Sequence, residues 1–313
     1  MIDVELSLVI CTYNRAELLA RLLDSLAKQN AASDRYEILI VDNNSSDDTK
    51  KVAHKYCQVQ NDVRYLLEKR QGLSHARNRG VLEARGNYVG FVDDECLLDN
   101  DWISKALEII QVYQPALFGG PYKAYYEQKP DWVKPSYWST YPQMGLSARW
   151  LGNDEYLSGG NFFVSRSMLN DVGGFSPEFG MRGESILYGE ETELQQRIRK
   201  QYPERHFYYD PSLCVEHLVR DEKLSLRWQV ISCFNSGLSF AHVSKMHRLR
   251  KKHISVIIKS FLLVLPVSFY VLLSSFVLVF VRDRKKYPHF KNYWFEVALN
   301  RIATLGRLVG ECF

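Results

Sequence analysis

The sequence predicts an α/β fold in which a mostly parallel sheet carries helices on both faces. Roughly the first 120 residues contain short, nearly continuous apolar runs, and the segment after the first run, residues 16–29, has leucines at helical spacing. Strands that are apolar on both sides are typical of parallel sheets covered by helices. Such sheets bind ligands beyond the carboxyl ends of their strands, where the strand order reverses. The residues that follow each strand are therefore the first candidates for a functional site.

The predicted elements alternate regularly along the chain. Strands are expected over residues 6–12, 36–41, 63–67, 88–92 and 162–165, and helices over residues 16–29, 47–56, 73–84, 190–200 and 223–243. The segment 121–154 is irregular and rich in Tyr and Trp. This composition fits either the rim of a binding site or a hydrophobic flap on the sheet.

Composition excludes several classes of protein. The chain has 313 residues, 46% hydrophobic and 24% charged, which is ordinary for a globular protein and argues against disorder or a disulfide scaffold. A net charge of +4 is too small to indicate nucleic acid as a partner. The six cysteines lack CxxC or Cys/His metal spacing, so we interpret them as reduced thiols.

Polar residues follow the first two predicted strands. Asp42 ends the second strand, where a carboxylate can accept a hydrogen bond from a ribose hydroxyl or a base N–H. An Asx turn or a helix cap is the alternative role for Asp42. The other candidates at these two strand ends are Thr12, Tyr13, Asn14, Arg15 and Asn44.

Three successive acids, Asp93, Asp94 and Glu95, follow the apolar strand 88–92. Their mutual repulsion is unfavourable unless a cation compensates it. Mg²⁺ and Mn²⁺ prefer carboxylate oxygens and often keep phosphate oxygens as further ligands. The sequence thus predicts a divalent metal here, with a solvated acidic turn as the alternative.

Two further positions combine residue types that suit catalysis. Glu190 and Glu191 open a predicted helix after a glycine, which suits a general base with a neighbouring acid. Favourable charge at a helix N-terminus is the alternative. His217 can be a metal or phosphate ligand, although a lone histidine is more often structural. Arg77 and Asn78 can contact a nucleotide or diphosphate, or can lie on a solvated helix face.

These segments, in this order, resemble the family 2 glycosyltransferases with a GT-A (Rossmann-like) fold. The resemblance covers about residues 5–245 and rests on the following segments: VICTYNRAELL, ILIVDNNSSDDT, GLSHARNRG, GNYVGFVDDE, GGNFFVSRSMLNDVGGF and GEETEL. It implies an inverting transferase that moves a sugar from a nucleoside diphosphate, by family frequency a UDP-sugar, usually with Mg²⁺ or Mn²⁺. The acceptor would be a hydroxyl of a glycan or lipid-linked molecule in surface polysaccharide or glycolipid synthesis.

The resemblance also assigns roles. Asp42 matches the acid that recognises the nucleoside, and Asp93 and Glu95 match the two ends of the DxD motif, where one acid contacts ribose and the other holds the metal. Most members have Asp where this chain has Glu95. Glu191 matches the catalytic base of the family's ED motif, usually Asp, and Glu190 matches the acid before it. The loop under the donor sugar corresponds to Gly159, Gly160 and Asn161.

The apolar run 260–281 predicts a transmembrane helix, because about 22 residues without charge can cross a bilayer core of ~30 Å. Basic clusters lie on both sides of this run, so its orientation is ambiguous. Two arrangements stay open: a single span, and a re-entrant hairpin that bends near Pro266. The predicted domains are a catalytic domain over 1–245, a basic-flanked membrane segment over 246–286 and an amphipathic tail over 287–313. This organisation predicts membrane lipid as a partner, an inner or plasma membrane location, and a catalytic domain in the cytoplasm.

Two other functions stay open at this stage. A metal-dependent nucleotidyltransferase also uses acids on an α/β sheet, but releases pyrophosphate. A non-catalytic membrane scaffold would keep the fold without turnover, although it would not need to retain Asp42, Asp93, Glu95 and Glu191 together.

Overall fold

The computed structural model describes residues 4–60, 62–140, 143–183, 187–247 and 283–312, together with Pro266, Ser268, Phe269 and Leu273. Its contacts divide the chain into two compact units. The first unit comprises Met1–Tyr125, Ser136–Gly183 and Glu190–Leu218. The second comprises Tyr126–Pro135, Glu184–Gly189 and Val219–Phe313. The domain boundaries expected at 245 and 286 stay predictions.

The described residues of the first unit form eleven strands in two sheets. The strands are β1 Leu6–Thr12, β2 Tyr36–Asp42, β3 Val63–Leu67, β4 Tyr88–Val92, β5 Cys96–Leu98, β6 Leu117–Gly119, β7 Tyr122–Tyr125, β8 Arg149–Trp150, β9 Asn161–Ser165, β10 Phe207–Tyr209 and β11 Val215–Leu218. The larger sheet has the order β3-β2-β1-β4-β9-β6-β10-β8, and the smaller has the order β5-β11-β7.

The larger sheet is mixed. Its first four strands are parallel to one another, as the sequence predicts. Beyond β4 the strand β9 runs antiparallel to both neighbours, and β8 runs antiparallel to β10, so the expectation of a mostly parallel sheet holds for one half. The α/β architecture is confirmed, and the carboxyl ends of β1, β2 and β4 meet at one edge.

Helices cover both faces of this sheet, as predicted. The helices of the first unit are α1 Ala16–Leu26, α2 Thr49–Val59, α3 Leu73–Glu83, α4 Trp102–Tyr113, α5 Arg166–Asp171 and α6 Glu190–Gln201. Alternating residues of β1 divide between two apolar cores, since Leu8 and Ile10 pack with α1 and α4 while Val9 packs with α3 and α6. The cysteines at 11, 57, 96, 214 and 233 form no disulfide, as the composition predicts.

The described residues of the second unit include the helices α7 Leu226–His247, α8 Phe290–Tyr293 and α9 Leu299–Cys312, with a π-helical turn at Trp294–Ala298. Helices α7 and α9 approach closely through glycines. A Cβ on Gly237 would overlap with the carbonyl of Ala303, and one on Gly306 would overlap with that of Phe234. Glycine is therefore required at these two crossing points.

The predicted transmembrane helix must be corrected. Among the described residues, no helix is both long enough and apolar enough to cross a membrane. Helix α7 has 22 residues but carries Arg, Gln, Asn, His and Lys, and α9 has 14 residues, a length of about 21 Å. Of the apolar run 260–281, only Pro266, Ser268, Phe269 and Leu273 are described, and the rest lies outside the described residues.

Candidate active site

The carboxyl edge of the larger sheet gathers the predicted acids. Thr12 at the end of β1 pairs in register with Asp42 at the end of β2, and β4 lies on the other side of β1. Asp93 follows β4 directly, and its backbone N–H donates to the carbonyl of Gly160 over 3.4 Å. The antiparallel pairing of β4 with β9 therefore places the 159–161 loop beside the acidic turn.

Asp93, Glu95 and His217 converge at this edge. The Nε2 atom of His217 lies 3.3 Å from Glu95 Oε1 and 3.6 Å from Asp93 Oδ2. The smaller sheet causes this convergence, because β11 pairs with β5 so that His217 faces Cys96 in register. Asp93 is the accessible acid, with its side chain 37% exposed, whereas the Glu95 side chain is 5% exposed.

The middle acid, Asp94, serves a different purpose. Its side chain is buried, and Arg15 Nη1 donates to Asp94 Oδ1 over 2.7 Å. Burial raises the pKa of Asp94, and the guanidinium of Arg15 opposes that rise. The same Arg15 nitrogen lies 3.7 Å from Glu95 Oε2. Asp94 thus fixes the acidic turn to the start of α1, and its carboxylate points to protein.

The predicted metal site stays a prediction. Within the part of the chain that the structure describes, no group of three or more His, Cys, Asp or Glu side chains is arranged so that it could hold a metal ion. Asp93, Glu95 and His217 nevertheless bring two carboxylates and one imidazole to one place, a donor set that suits Mn²⁺ or Mg²⁺ when a ligand supplies more oxygens. A metal here would need the substrate to complete its coordination.

The acid pair at the start of α6 lies against Arg77. Arg77 Nη1 donates to Glu190 Oε1 over 2.8 Å, and Nη2 donates to the carbonyl of Gly159 over 2.9 Å. Glu190 is buried and Glu191 is partly buried. Burial and the adjacent Glu190 charge raise the pKa of Glu191 to about 8, while Arg77 limits the rise. A carboxylate that titrates near neutral pH is suited to general base catalysis.

Gly159 and Gly160 lie between the acidic turn that contains Asp93 and the acid pair Glu190 and Glu191. A Cβ on Gly159 would lie 3.1 Å from Arg77 Nη2 and 3.3 Å from Glu191 Cδ. A Cβ on Gly160 would overlap with Asp93 Oδ2 and lie 3.0 Å from Asp93 Cγ. Asp93 and Glu191 therefore both pack against the same loop, at positions where a glycine side chain is missing.

Two predicted contacts have structural roles. Asn161 is fully buried, and its Nδ2 donates to the carbonyls of Pro121 (3.1 Å) and Leu213 (2.6 Å). Asn78 donates to the carbonyl of Phe175 and accepts from the N–H of the same residue, both over 2.8 Å. These hydrogen bonds hold loops in place.

The predicted nucleoside side of the site is a set of tight turns. Asp42 Oδ1 accepts from the Ser45 N–H over 2.8 Å, so the Asx turn considered for Asp42 is present. Asn14 and Asn44 both have positive φ, 51° and 67°. Asn14 Oδ1 accepts from the Ser46 N–H over 2.7 Å and links the two strand ends. Tyr13 is 37% exposed beside them.

Sequence reasoning missed two residues at this edge. Tyr65 on β3 donates its hydroxyl hydrogen to Asp42 Oδ2 over 2.9 Å. Asn43 is buried, donates to the carbonyls of Glu68 and Arg70, and accepts from the Gly72 N–H over 2.8 Å. The sequence does offer a signal for Asn43, because it is a polar residue directly after a buried strand, as is its neighbour Asp42.

Comparison with known proteins identifies the class. The model of glycosyl transferase family 2 matches residues 7–173, more than half of the chain. The chain therefore belongs to this family, which confirms the predicted family. Glycosyltransferase AglE of Haloferax volcanii is 28% identical over 54% of this chain, and the chain spans 55% of AglE, about half its length.

Other relatives match over longer ranges. The glucosyl-dolichyl phosphate glucuronosyltransferase of Haloferax volcanii is 24% identical over 75% of this chain and 76% of its own length. The GalNAc(5)-diNAcBac-PP-undecaprenol beta-1,3-glucosyltransferase of Campylobacter jejuni is 25% identical over 71% of this chain and 67% of its own. All three of these relatives are named as glycosyltransferases.

Two solved structures share the fold. S. aureus TarS 1-349 in complex with UDP-GlcNAc has a TM-score of 0.58 and 16% identity, covering 98% of this chain and 90% of that chain. The mannosyltransferase PcManGT of Pyrobaculum calidifontis, in complex with GDP-Man and Mn²⁺, has a TM-score of 0.57 and 16% identity, covering 96% and 73%. At this identity the likeness supports the GT-A-like fold alone.

Proposed function

We propose that the protein is an inverting glycosyltransferase that moves a sugar from a nucleoside diphosphate, in the first instance UDP, to a hydroxyl of a glycan or lipid-linked acceptor. The observation that carries the proposal is that Asp93 and Glu191 both lie against the Gly159–Gly160 loop. A donor sugar over this loop would have its diphosphate near Asp93 and its anomeric carbon near Glu191. The two structural neighbours with bound nucleotide sugars support this class of donor.

Each side chain has a role in the proposed reaction. Asp42 would accept a hydrogen bond from the nucleoside, with its carboxylate already oriented by Ser45 and Tyr65. Glu191 would take the proton from the acceptor hydroxyl as that oxygen bonds to the anomeric carbon. The bond between the anomeric carbon and the diphosphate oxygen breaks in the same step, so the configuration inverts and no covalent enzyme intermediate forms.

Asp93, Glu95 and His217 would hold the divalent cation. When bound, Mn²⁺ or Mg²⁺ supplies positive charge that stabilises the departing diphosphate. The PcManGT structure contains Mn²⁺ with its nucleotide sugar, which supports a metal of this class. Glu95 is buried and lies between His217 and Arg15, so Asp93 and His217 would be the more accessible ligands.

We also propose that the protein works at a membrane surface, with the site in the cytosol where nucleotide sugars are made. Two relatives carry dolichyl phosphate or undecaprenol in the names of their substrates, which supports a lipid-linked acceptor. Cell fractionation followed by a carbonate wash tests the location. If the protein is found entirely in the soluble fraction before the carbonate wash, this part of the proposal is contradicted.

A donor assay tests the activity. The full-length protein is incubated with a panel of nucleotide sugars and Mn²⁺ or Mg²⁺, with and without lipid-linked acceptors, and released nucleoside diphosphate is measured. We expect release from one donor, abolished by EDTA and by Glu191→Gln and Asp93→Asn. Glu178→Gln is the matched control, because Glu178 is exposed in the same unit. Pyrophosphate release would indicate a nucleotidyltransferase, and neither turnover nor nucleotide binding would indicate a scaffold.

A further inference from the structure

Arg77 is buried in a cage of aromatic rings. Its side chain is 3% exposed, and its guanidinium carbon lies 5.7 Å, 6.0 Å and 5.2 Å from the ring centres of Phe91, Phe162 and Phe175. These rings come from β4, β9 and the loop after α5. An arginine in such surroundings has lost its hydration, so its charge needs protein partners.

The polar partners of Arg77 come from three separate parts of the candidate site. They are the carboxylate of Glu190 on α6, the carbonyl of Gly159 before β9, and Asp93 Oδ1 at 3.9 Å after β4. Burial alone would lower the pKa of Arg77, but the charges of Glu190 and Asp93 more than offset it and raise the pKa. The planar fork of a guanidinium holds a carboxylate and a carbonyl with two nitrogens in one fixed geometry, whereas the donors of an ammonium rotate.

We propose that Arg77 is a positioning residue that makes Glu191, and not Glu190, the base. It binds the Glu190 carboxylate and the Gly159 carbonyl with two nitrogens of one rigid group, and so fixes Glu191 beside the loop. The proposal rests on the function proposed above. It differs from the sequence-based expectation for Arg77, which was contact with the nucleotide or diphosphate.

The charges around Glu191 explain why this arrangement matters. Glu190 adjoins it on the same helix, Arg77 faces it from α3, and Tyr122 faces it from β7. Asp93 lies on the far side of Arg77. Two adjacent carboxylates in a desolvated place disfavour each other's ionisation. Because Arg77 compensates the charge of Glu190, Glu191 can still lose its proton within the working pH range.

Four variants test the proposal by kinetics against pH: Arg77→Met, Arg77→Lys, Glu190→Gln and the double variant Arg77→Met/Glu190→Gln. We expect Arg77→Met to lower kcat about 100-fold with a smaller change in KM, and to move the midpoint of the pH dependence of kcat up by about one unit. Glu190→Gln should move this midpoint down. The double variant removes one charge of each sign, so its midpoint should return close to that of the natural protein. Arg77→Lys should keep the midpoint and lose part of kcat.

A matched control is available on the same helix. Arg197 binds the buried Glu193 and donates to the carbonyls of Val172 and Gly174. Like Arg77 it therefore binds one carboxylate and backbone carbonyls, but it does not bind Glu190. We expect Arg197→Met to lower the Tm without moving the pH midpoint of kcat. An equal shift in this control would mean that any broken Arg–Glu pair on α6 has the same effect, and would overturn the proposal.

A second readout separates the proposal from the proposed function. Because the pKa of Glu191 is raised from an ordinary value of 4.5 to about 8, its contribution to stability is full below pH 4.5 and is lost as pH rises through 8. The Tm of the natural protein relative to Glu191→Gln should therefore fall over this range. The fall should extend to higher pH in the Arg77→Met background and end at lower pH in the Glu190→Gln background.

The outcomes are distinct. If no donor is turned over but the Tm difference follows this pattern, the function fails and the positioning of Glu191 by Arg77 stands. If turnover is present but Arg77→Met and Glu190→Gln both leave the pH midpoint of kcat unchanged, the inference is wrong. Should Arg77→Met fail to fold, Glu190→Gln, whose midpoint should fall, and the double variant, whose midpoint should return to the natural value, together still decide the matter.

Discussion

Tyr65 donates its hydroxyl hydrogen to Asp42 over 2.9 Å, so the acid expected to recognise the nucleoside is already oriented from the neighbouring strand. The carboxylate has a second donor in the Ser45 N–H. Burial, together with the hydrogen bond to Asp42 and the charge of that carboxylate, raises the pKa of Tyr65, so the phenol stays protonated and keeps donating across the physiological range. A carboxylate held in this way can present its remaining lone pairs to a ligand without further ordering.

Loss of the Tyr65 hydroxyl should weaken nucleotide binding more than it slows the chemical step. We expect Tyr65→Phe to raise the Kd for the nucleoside diphosphate about fivefold, since one hydrogen bond contributes about 1 kcal/mol. Calorimetric titration measures this directly. The control is Tyr56→Phe on α2, whose hydroxyl donates to Asp24 away from the site. An unchanged Kd in Tyr65→Phe would mean that Asp42 does not need Tyr65 for binding.

Asp93 and Asp94 are adjacent in sequence, but substitution of Asp94 should mainly lower stability and substitution of Asp93 should mainly weaken metal binding. Asp94→Asn breaks the contact with Arg15, and we expect it to lower the free energy of unfolding by about 1–3 kcal/mol, because Asp94 is buried and Arg15 is partly exposed. Asp93→Asn should cost less than about 1 kcal/mol but weaken Mn²⁺ binding at least tenfold, since Asp93 is accessible and faces His217.

Urea unfolding and the free Mn²⁺ signal in electron paramagnetic resonance measure the two effects separately. Equal loss of Mn²⁺ binding in both variants would place Asp94 among the metal ligands and contradict the role that its contact with Arg15 indicates.

The elements that the sequence predicted are those with a strong local pattern. Strands β1 to β4 are apolar runs of five to seven residues, and each lies where expected. Helix α4 was missed although it buries Trp102 and Ile103, and strands β5 and β11 were missed because each has four residues or fewer. A short strand has no detectable period, so only its partner defines it.

The same distinction applies to the site. The acids were found because charged residues directly after buried strands stand out in any sequence. The pairing of His217 with Glu95 depends on the ladder between β5 and β11, which joins residues more than a hundred positions apart. Asn161 is of a residue type that often contacts ligands, but its side-chain N–H groups donate to the carbonyls of Pro121 and Leu213. Tertiary contacts of this kind leave no local trace.

Gly160 should be essential to the placement of Asp93. In Gly160→Ala the new methyl group would overlap with Asp93 Oδ2, while the backbone of Gly160 lies outside the region of positive φ and tolerates alanine. Asp93 must therefore move, and we expect Mn²⁺ affinity to fall about tenfold with a smaller change in Tm. The control is Gly152→Ala, whose Cβ would meet only the flexible end of Glu155 at 3.4 Å. Full Mn²⁺ affinity in Gly160→Ala would show that Asp93 has an alternative position.

The turnover of the natural protein should rise with pH. The pKa of Glu191 is raised to about 8 by burial and by the charge of Glu190, so near pH 6 most molecules carry the proton that a general base must lack. We expect kcat to increase about tenfold per unit of pH below 7 and to level off above pH 8.5, measured with Mg²⁺ and a saturating donor. Glu178→Gln should show the same profile, whereas Glu191→Gln should lose 10²–10⁴-fold in kcat and lose this rise. A flat profile between pH 6 and 9 in the natural protein would mean that a group other than Glu191 takes the acceptor proton.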